Sequence, residues 1–501
     1  MNYNGALHIT WNSNVNPDKD ALVFGDKIWS YIALESAVSE TAALLRHAGV
    51  GRGDRVAILG LNSDEYVIAC LAGMRIGAVS VLLNYRLTIN ELSFLINDAE
   101  PKALLLDEEF YSTHIELLSS CASISFTAVL HSESEHKYSL ESRRALHKGE
   151  IVENVLMGPD DLDRILYTSG TTGRPKGAML SHGNAAWNLL TQVLEGCCQA
   201  DERTLVFAPL YHIGAQELPG MRVFALGATM VIMRRFDPTT VLENVQKFRI
   251  TGMVLISTMV HMLCQLPNSR DYNTGSLRWL VFGQVPENML GEIRSIFPNA
   301  ALKNSYGLTE ICSTATSIDD INQRIRPLSP GRCTPTVELK IVDDNDNEIR
   351  HGELGEIILR SPKVMLGYWR MPEETAEVLK GGWLHTGDVG YVDEFGFLFI
   401  VDRKKDMIRT GGENVSSQEL ERVIFGMGTV AEVAVVSIPD EKWGEAIKAV
   451  IVAHPGKSVT ADDVLAHCKS HLASFKIPKV IEFRQELPRN PSGKVLKRQL
   501  I

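Results

Sequence analysis

Between residues 18 and 100 the apolar positions run in two alternating rhythms. Tyr31 to His47 and Asp64 to Ile76 carry apolar side chains at helical spacing, and the short apolar runs Arg55 to Leu59 and Val79 to Leu83 predict strands. Glycine-bearing breaks at 49–53 and 73–77 separate these elements. Alternation of this kind implies a parallel sheet with helices on its faces. The polar stretch 131–150 reads as a surface connection to a second unit. There the pattern predicts strands at Leu162 to Tyr167, Thr204 to Ala208, Val254 to Ile256, Trp279 to Phe282 and Ala301 to Asn304, and a helix over 184–195. Most of these strands run into a polar or glycine-bearing turn, the last into Ser305-Tyr-Gly-Leu-Thr-Glu310.

After Gly331 the strands shorten, with turns at Asp343 to Asn347, His351-Gly352 and Asp393 to Gly396, as in an antiparallel β subdomain. Five consecutive charged residues, Asp402-Arg-Lys-Lys-Asp406, can hardly lie in a core and mark a boundary. Beyond it, strands at Val433 to Ser437 and Ala449 to Val452, a turn over 442–445 and a helix over Ala461 to His471 predict a small mixed unit. The predicted fold class is multidomain α/β. A large N-terminal domain, 1–401, holds two βα-sheet subdomains and a β subdomain, and 402–501 form a small α+β domain.

Charge narrows the function classes. A net charge of −11 over 501 residues speaks against a general nucleic-acid binder. Residues 402–501 carry 16 Lys+Arg against 13 Asp+Glu, net +3, and residues 1–401 carry 34 against 48, net −14, so the C-terminal part is the better partner for an anion. The eight cysteines form no C-x-x-C pair and read as free thiols. With no signal-peptide pattern and no apolar run of spanning length, the expectation is a cytoplasmic protein without a transmembrane segment, a peripheral membrane contact being left open.

One stretch carries most of the candidate chemistry. Tyr167-Thr-Ser-Gly-Thr-Thr-Gly-Arg-Pro-Lys-Gly177 follows a strand and crowds glycines, hydroxyls and a lysine together, a composition suited to wrapping donors around phosphate oxygens. It is not a Walker A loop, because Lys176 is followed by Gly177 and five residues after Gly170 comes Pro175. The stretch resembles the signature of the adenylate-forming family, which includes acyl-CoA synthetases, luciferases and peptide-synthetase adenylation domains. Further motifs follow in the family's order: Tyr306-Gly-Leu-Thr-Glu310, Gly382-Trp-Leu-His-Thr-Gly-Asp388, Asp402-Arg-Lys-Lys-Asp406, Thr410-Gly-Gly-Glu-Asn414 and Pro488-Arg-Asn-Pro-Ser-Gly-Lys494. The resemblance runs from about residue 18 to 500.

The resemblance implies two half-reactions. A carboxylate attacks the α-phosphate of Mg·ATP to give acyl-AMP and pyrophosphate, and the thiol of coenzyme A then displaces AMP. No protein nucleophile is needed, so the protein's work is positioning and charge stabilisation. By residue, Thr168, Ser169, Gly170, Thr171, Thr172, Gly173 and Lys176 match the β- and γ-phosphate loop. Tyr306 matches the adenine partner, Thr309 the α-phosphate donor, and Glu310 the oxygen ligand of Mg²⁺. Asp388 and Arg403 match the ribose partners, and Lys494 the cation on the carboxylate and α-phosphate. His212, just past a strand end, is expected beside the substrate carboxylate. Gly411, Gly412, Glu413 and Trp443 are assigned to the thioester step, and Lys405 to a hinge, about 402–406, on which the small domain turns.

The acyl pocket is expected from His212, Gln216, Ser257, Gly283, Gln284, Ile311 and Ala315, with Gln284 either meeting a polar substituent or turning to backbone. A fatty acid is the expected substrate, with an aromatic or other small acid as alternative, and a carrier-protein pantetheine as alternative acceptor. A non-catalytic nucleotide-binding protein on the same fold is the remote alternative. A monomer or homodimer is expected. The chain departs from common family patterns at Phe282-Gly-Gln-Val285 and Asn304-Ser-Tyr-Gly307, both near the substrate.

Overall fold

The structure, a computed structural model, describes residues 1–501 except 120, 133–135, 169–173, 197–198, 219, 284, 286, 411–412 and 490–494, and leaves out the side chains of 117, 119 and 288. It divides the chain into two compact units, 1–339 with 359–384, and 340–358 with 385–501.

The first unit holds two sheets. In the nine-stranded sheet the strands run, edge to edge, Arg332–Cys333, Ser313–Ile318, Ala301–Leu308, Trp279–Phe282, Gly252–Leu255, Arg203–Val206, Thr229–Ile232, Asp20–Phe24 and Lys27–Ser30. The seven-stranded sheet orders Gly367–Tyr368, Lys176–Ser181, Leu162–Thr168, Val79–Leu83, Arg55–Leu59, Ala103–Leu106 and Phe126–Val129. The helix Tyr31–His47 starts where Ser30 accepts the Ala33 N–H, and Asp64–Ile76 starts under Ser63 and ends at left-handed Gly77, both as the patterning predicts. Every residue of Asp64–Ile76 is buried, and one core cluster joins this helix and Tyr31–His47 to residues of both sheets, among them Leu22, Met230, Ile58 and Leu82.

Four expectations are corrected. Lys176–Ser181 is a strand, antiparallel to Leu162–Thr168 from Leu162↔Ser181 to Thr168↔Lys176, and the following helix starts at His182 and not at Asn184. The strand from Ala301 does not end at Asn304 but continues to Leu308, with a bulge between Tyr306 and Gly307. Within 131–150, residues Leu140–Arg144 are helical and Arg144 is buried, because Glu65 of the fully buried helix supplies its countercharge. Asp402 is buried despite its charged neighbours: its Oδ2 accepts the Ser417 N–H at 2.5 Å, at the start of the helix Ser417–Phe425.

In the second unit, Leu384–Val392 pairs antiparallel with Leu398–Arg403. The hairpin Val430–Asp440 with Gly444–Ala453 is flanked by Val480–Phe483 and Ile408–Thr410, and the helices Ser417–Phe425 and Ala461–His471 cover it. No described helix is long and apolar enough to cross a membrane.

Candidate active site

Parallel neighbours bring dispersed sequence positions to one edge. Arg203–Val206, Gly252–Leu255, Trp279–Phe282 and Ala301–Leu308 run parallel side by side, with Met253 opposite Leu205, Leu255 opposite Phe282, and Phe282 opposite Asn304. Their carboxyl ends therefore lie in a row, the place where open α/β sheets take ligands. His212, Ser257, Gly283 and Tyr306 all follow or extend from these ends. Among the described residues, a methyl group built on Gly283 would meet nothing within 4 Å.

Past Tyr306 the chain turns sharply. Gly307 is demanded by packing, since a Cβ there would lie 1.6 Å from the Ser313 carbonyl oxygen. Thr309–Ile311 form one 3-10 turn, and Cys312 and Ser313 both take positive φ, 51° and 87°, before the chain returns as the next strand. Two non-glycine residues in that region store strain, which the close strand pairing on either side holds in place. Half-buried Thr309 and Glu310 stand at the tip of this turn.

Residues 365–369 tie that tip to the phosphate-loop hairpin. Met365 N–H donates to the Glu310 carbonyl at 2.8 Å, Leu366 N–H to Met179 O at 2.9 Å, and Trp369 N–H to Gly177 O at 2.7 Å. Between them Tyr368 donates its hydroxyl to Glu310 Oε1 at 3.0 Å and carries the Lys176 ammonium 5.1 Å from its ring centre. One tyrosine thus holds a cation on its face and a carboxylate at its tip. Thr168 Oγ1 donates to Lys176 O at 3.4 Å, and the Tyr167 hydroxyl to Asp98 at 2.5 Å, which fixes the root of the hairpin. Ser169, Gly170, Thr171, Thr172 and Gly173 lie outside the described residues, as do Gln284, Gly411, Gly412 and Lys494.

His212 precedes the short helix Ile213–Glu217 without capping it through its side chain, and its ring centre lies 4.4 Å from that of Tyr211. The residue is exposed, yet desolvation, helped by the Arg86 guanidinium, lowers its pKa to about 4. The ring is therefore neutral at pH 7. Gln216 is buried with both amide ends engaged: Nε2 donates to Leu210 O at 2.7 Å, and Oε1 accepts from Arg164 at 3.3 Å. It is committed to the protein interior. Ile311 and Ala315 are fully buried, and Ser257 starts the helix Ser257–Cys264 half-exposed.

In the second unit Asp388 and Arg403 are opposite residues of paired strands, and Arg403 Nε meets Asp388 Oδ1 at 2.6 Å. Thr386 Oγ1, itself donating to Ile357 O, accepts the Asp388 N–H at 3.0 Å. Lys405 is exposed in the turn in which the N–H groups of Asp406 and Met407 donate to Arg403 O. Glu413 is exposed opposite Thr410. Trp443 is 42 % exposed at the tip of the long hairpin, with Lys442 and Lys479 at 4.8 and 4.9 Å from its ring.

Sequence reasoning missed Tyr368 and Arg86. The run Val364-Met-Leu-Gly-Tyr-Trp369 ahead of the Pro372 helix start was the available signal for the first. The chain's own groups suit the expected ligands: Glu310 is a hard oxygen donor of the kind Mg²⁺ takes, and Lys176 would offer a cation to a phosphate.

Comparison with known proteins agrees with this chemistry. Residues 9–369 match the model of the AMP-binding enzyme family, and 419–494 that of the AMP-binding enzyme C-terminal domain. A feruloyl-CoA synthase of Amycolatopsis sp is 36 % identical over 97 % of this chain and 96 % of its own. A long-chain-fatty-acid–CoA ligase of Escherichia coli O157:H7 is 34 % identical over 96 % of this chain and 91 % of its own. ATP-bound MatB of Rhodopseudomonas palustris superposes with a TM-score of 0.91 at 33 % identity, over 100 % of this chain and 98 % of its own. With both family models matched in order and the phosphate hairpin joined to Glu310, the chain belongs to the adenylate-forming AMP-binding enzymes and is an AMP-forming acyl-CoA synthetase.

Proposed function

We propose that this synthetase activates a hydrophobic monocarboxylic acid, a fatty acid first, as acyl-AMP and transfers it to free coenzyme A. The observation that carries the adenylation half is the Lys176–Tyr368–Glu310 chain of contacts, which puts a cation and a carboxylate at the root of the phosphate hairpin. In our reading the loop 168–176 holds the β- and γ-phosphates, Thr309 the α-phosphate and Tyr306 the adenine. Glu310 would hold Mg²⁺, which supplies neutralisation of phosphate charge. Asp388 and Arg403, already paired, take the ribose. Neutral His212 borders the acid's carboxylate, where it can donate a hydrogen bond without adding a charge. Lys494 offsets the negative charge that collects on the carboxylate and α-phosphate at the transition state.

For the acid, the long-chain-fatty-acid–CoA ligase relative supports an extended apolar chain. A second reading, an arylalkenoic acid, is supported by the feruloyl-CoA synthase relative. Pyrophosphate release with a panel of octanoate, palmitate, cinnamate-type and indole acids tests both. Release with no acid at all would sink the ligase reading, and selective turnover of the aromatic acids would replace the fatty acid.

We further propose that 402–501 turn about Lys405 between the two steps, with Gly411, Gly412, Glu413 and Trp443 serving thioester formation. Lys494→Ala is then expected to lower acyl-AMP formation by about 10²–10³-fold, as losing one oxyanion donor does, while conversion of supplied acyl-AMP survives. Lys405→Pro is expected to do the reverse. Equal loss of both steps in Lys494→Ala, measured by pyrophosphate exchange and thioester yield, would overturn this division.

A further inference from the structure

Outside these regions, three side chains with metal-ligand chemistry converge at the end of a helix. His47 closes the helix Tyr31–His47, and His147 and Glu150 lie on the segment that passes over it. His47 Nε2 is 3.3 Å from Glu150 Oε2, and His147 Nδ1 is 2.8 Å from Glu150 Oε1. All three ligand atoms fall within 4.8 Å of one another. The two imidazoles stack, with centres 4.7 Å apart and planes 27° from parallel.

The backbone that delivers these groups is anchored independently of them. Ser39 Oγ donates to Glu150 O at 2.9 Å and accepts the Val152 N–H at 2.8 Å, and Gly149 N–H donates to Glu40 Oε1 at 3.2 Å. Residues 149–152 are therefore fixed on the side of the helix from which His47 projects. The last-turn carbonyls of that helix also favour a positive charge at this end.

We propose that His47, His147 and Glu150 form a binding site for a borderline divalent transition-metal ion, Zn²⁺ in the first place, with water completing the shell. An ion about 2.0–2.1 Å from nitrogen and oxygen ligands in tetrahedral geometry needs those ligands roughly 3.3 Å apart; the imidazole nitrogens stand 3.3 and 2.8 Å from the two Glu150 oxygens, and the stacked rings would turn for one ion to meet all three residues. Two imidazoles select against Mg²⁺, so this site is chemically separate from the Mg²⁺ that accompanies ATP. Its occupant would cross-link the end of the helix to residues 147–150.

The test uses the full chain, stripped with chelator, titrated calorimetrically with Zn²⁺ and with Mg²⁺, and loaded with Cu²⁺ for electron paramagnetic resonance. Zn²⁺ binding is expected to weaken about 10-fold or more in His47→Asn and in His147→Asn, since even groups that only orient ligands cost that much when lost. The Cu²⁺ spectrum should show coupling to two nitrogens, and Mg²⁺ should show no heat that these substitutions remove. Zn²⁺ affinity unchanged in the double variant would overturn the proposal and send the ion elsewhere, to cysteine for instance. So would absence of Zn²⁺ binding to the wild-type chain. Circular dichroism of the metal-free variants checks that they fold. Should either fail, Glu150→Gln, which keeps shape and removes charge, must show the same loss or the site is refuted.

Discussion

The two units handle charge in opposite ways. In the first, Arg164 is sealed between Asp163 and Glu217, Arg222 adds a second guanidinium to Glu217 at 3.1 Å, and Asn188 donates to Glu217 Oε2 at 3.0 Å. All four charged side chains are at most 4 % exposed. In the second, Asp388 is buried too, but a third of the side chain of the Arg403 it meets faces water. A buried network costs desolvation and returns little net stability, but it leaves its members one arrangement. Here that arrangement locks the strand leading into the phosphate hairpin to the helix that follows His212. The Arg403 end of the pair keeps access to water, which the sealed network lacks.

The largest effect is expected where the sealed network is broken. Glu217→Ala leaves two buried guanidinium groups short of a countercharge and should lower stability by about 3–5 kcal/mol, read from urea unfolding. A loss below about 1 kcal/mol would mean that the network is wet and the contrast false. Asp388→Asn should cost about 1.5–3 kcal/mol in ATP binding, the worth of a hydrogen bond to a charged group, while unfolding shifts little. If it unfolds the protein as Glu217→Ala does, the second unit is no more open than the first.

Lys363 is the intermediate case, fully buried and held by the Thr314 carbonyl, with burial lowering its pKa to about 8. Its folded value lies below the unfolded 10.5, so between these pH values the unfolded chain binds more protons and stability rises with pH. Relative to Lys363→Met, the wild-type chain should gain about 1–2 kcal/mol from pH 8 to 9.5. A flat difference would show that the ammonium stays charged in the core.

What was legible in the sequence follows the range of the forces involved. The helix Tyr31–His47 and the strand Val79–Leu83 appear with the expected ends because a local cap and a local rhythm specify them. The strand Lys176–Ser181 was hidden because its partners, Leu162–Thr168 and Gly367–Tyr368, lie across a loop and nearly 190 residues away. Arg144 and Asp402 read as surface residues because their compensation comes from elsewhere in the chain, Glu65 in one case and the Ser417 N–H in the other. The motif around Glu310 was legible, but not its contact with Tyr368, which exists only once residues 365–369 pair with the hairpin. Gln216, expected at the acyl pocket, spends both amide ends on Leu210 and Arg164, a commitment no local pattern shows.

The tie between Asp402 and the helix Ser417–Phe425 also bears on what a protease would leave behind. Lys405 is exposed, and trypsin cutting after it would sever the covalent path between Asp402 and Ser417. The Ser417 N–H would still reach Asp402, and Ser416 Oγ would still donate to Val401 O at 2.8 Å. Since the turn proposed about Lys405 has to break both bonds, a protein cut there would be held through a carboxylate and the first turn of a helix in this arrangement and released when the small domain turns.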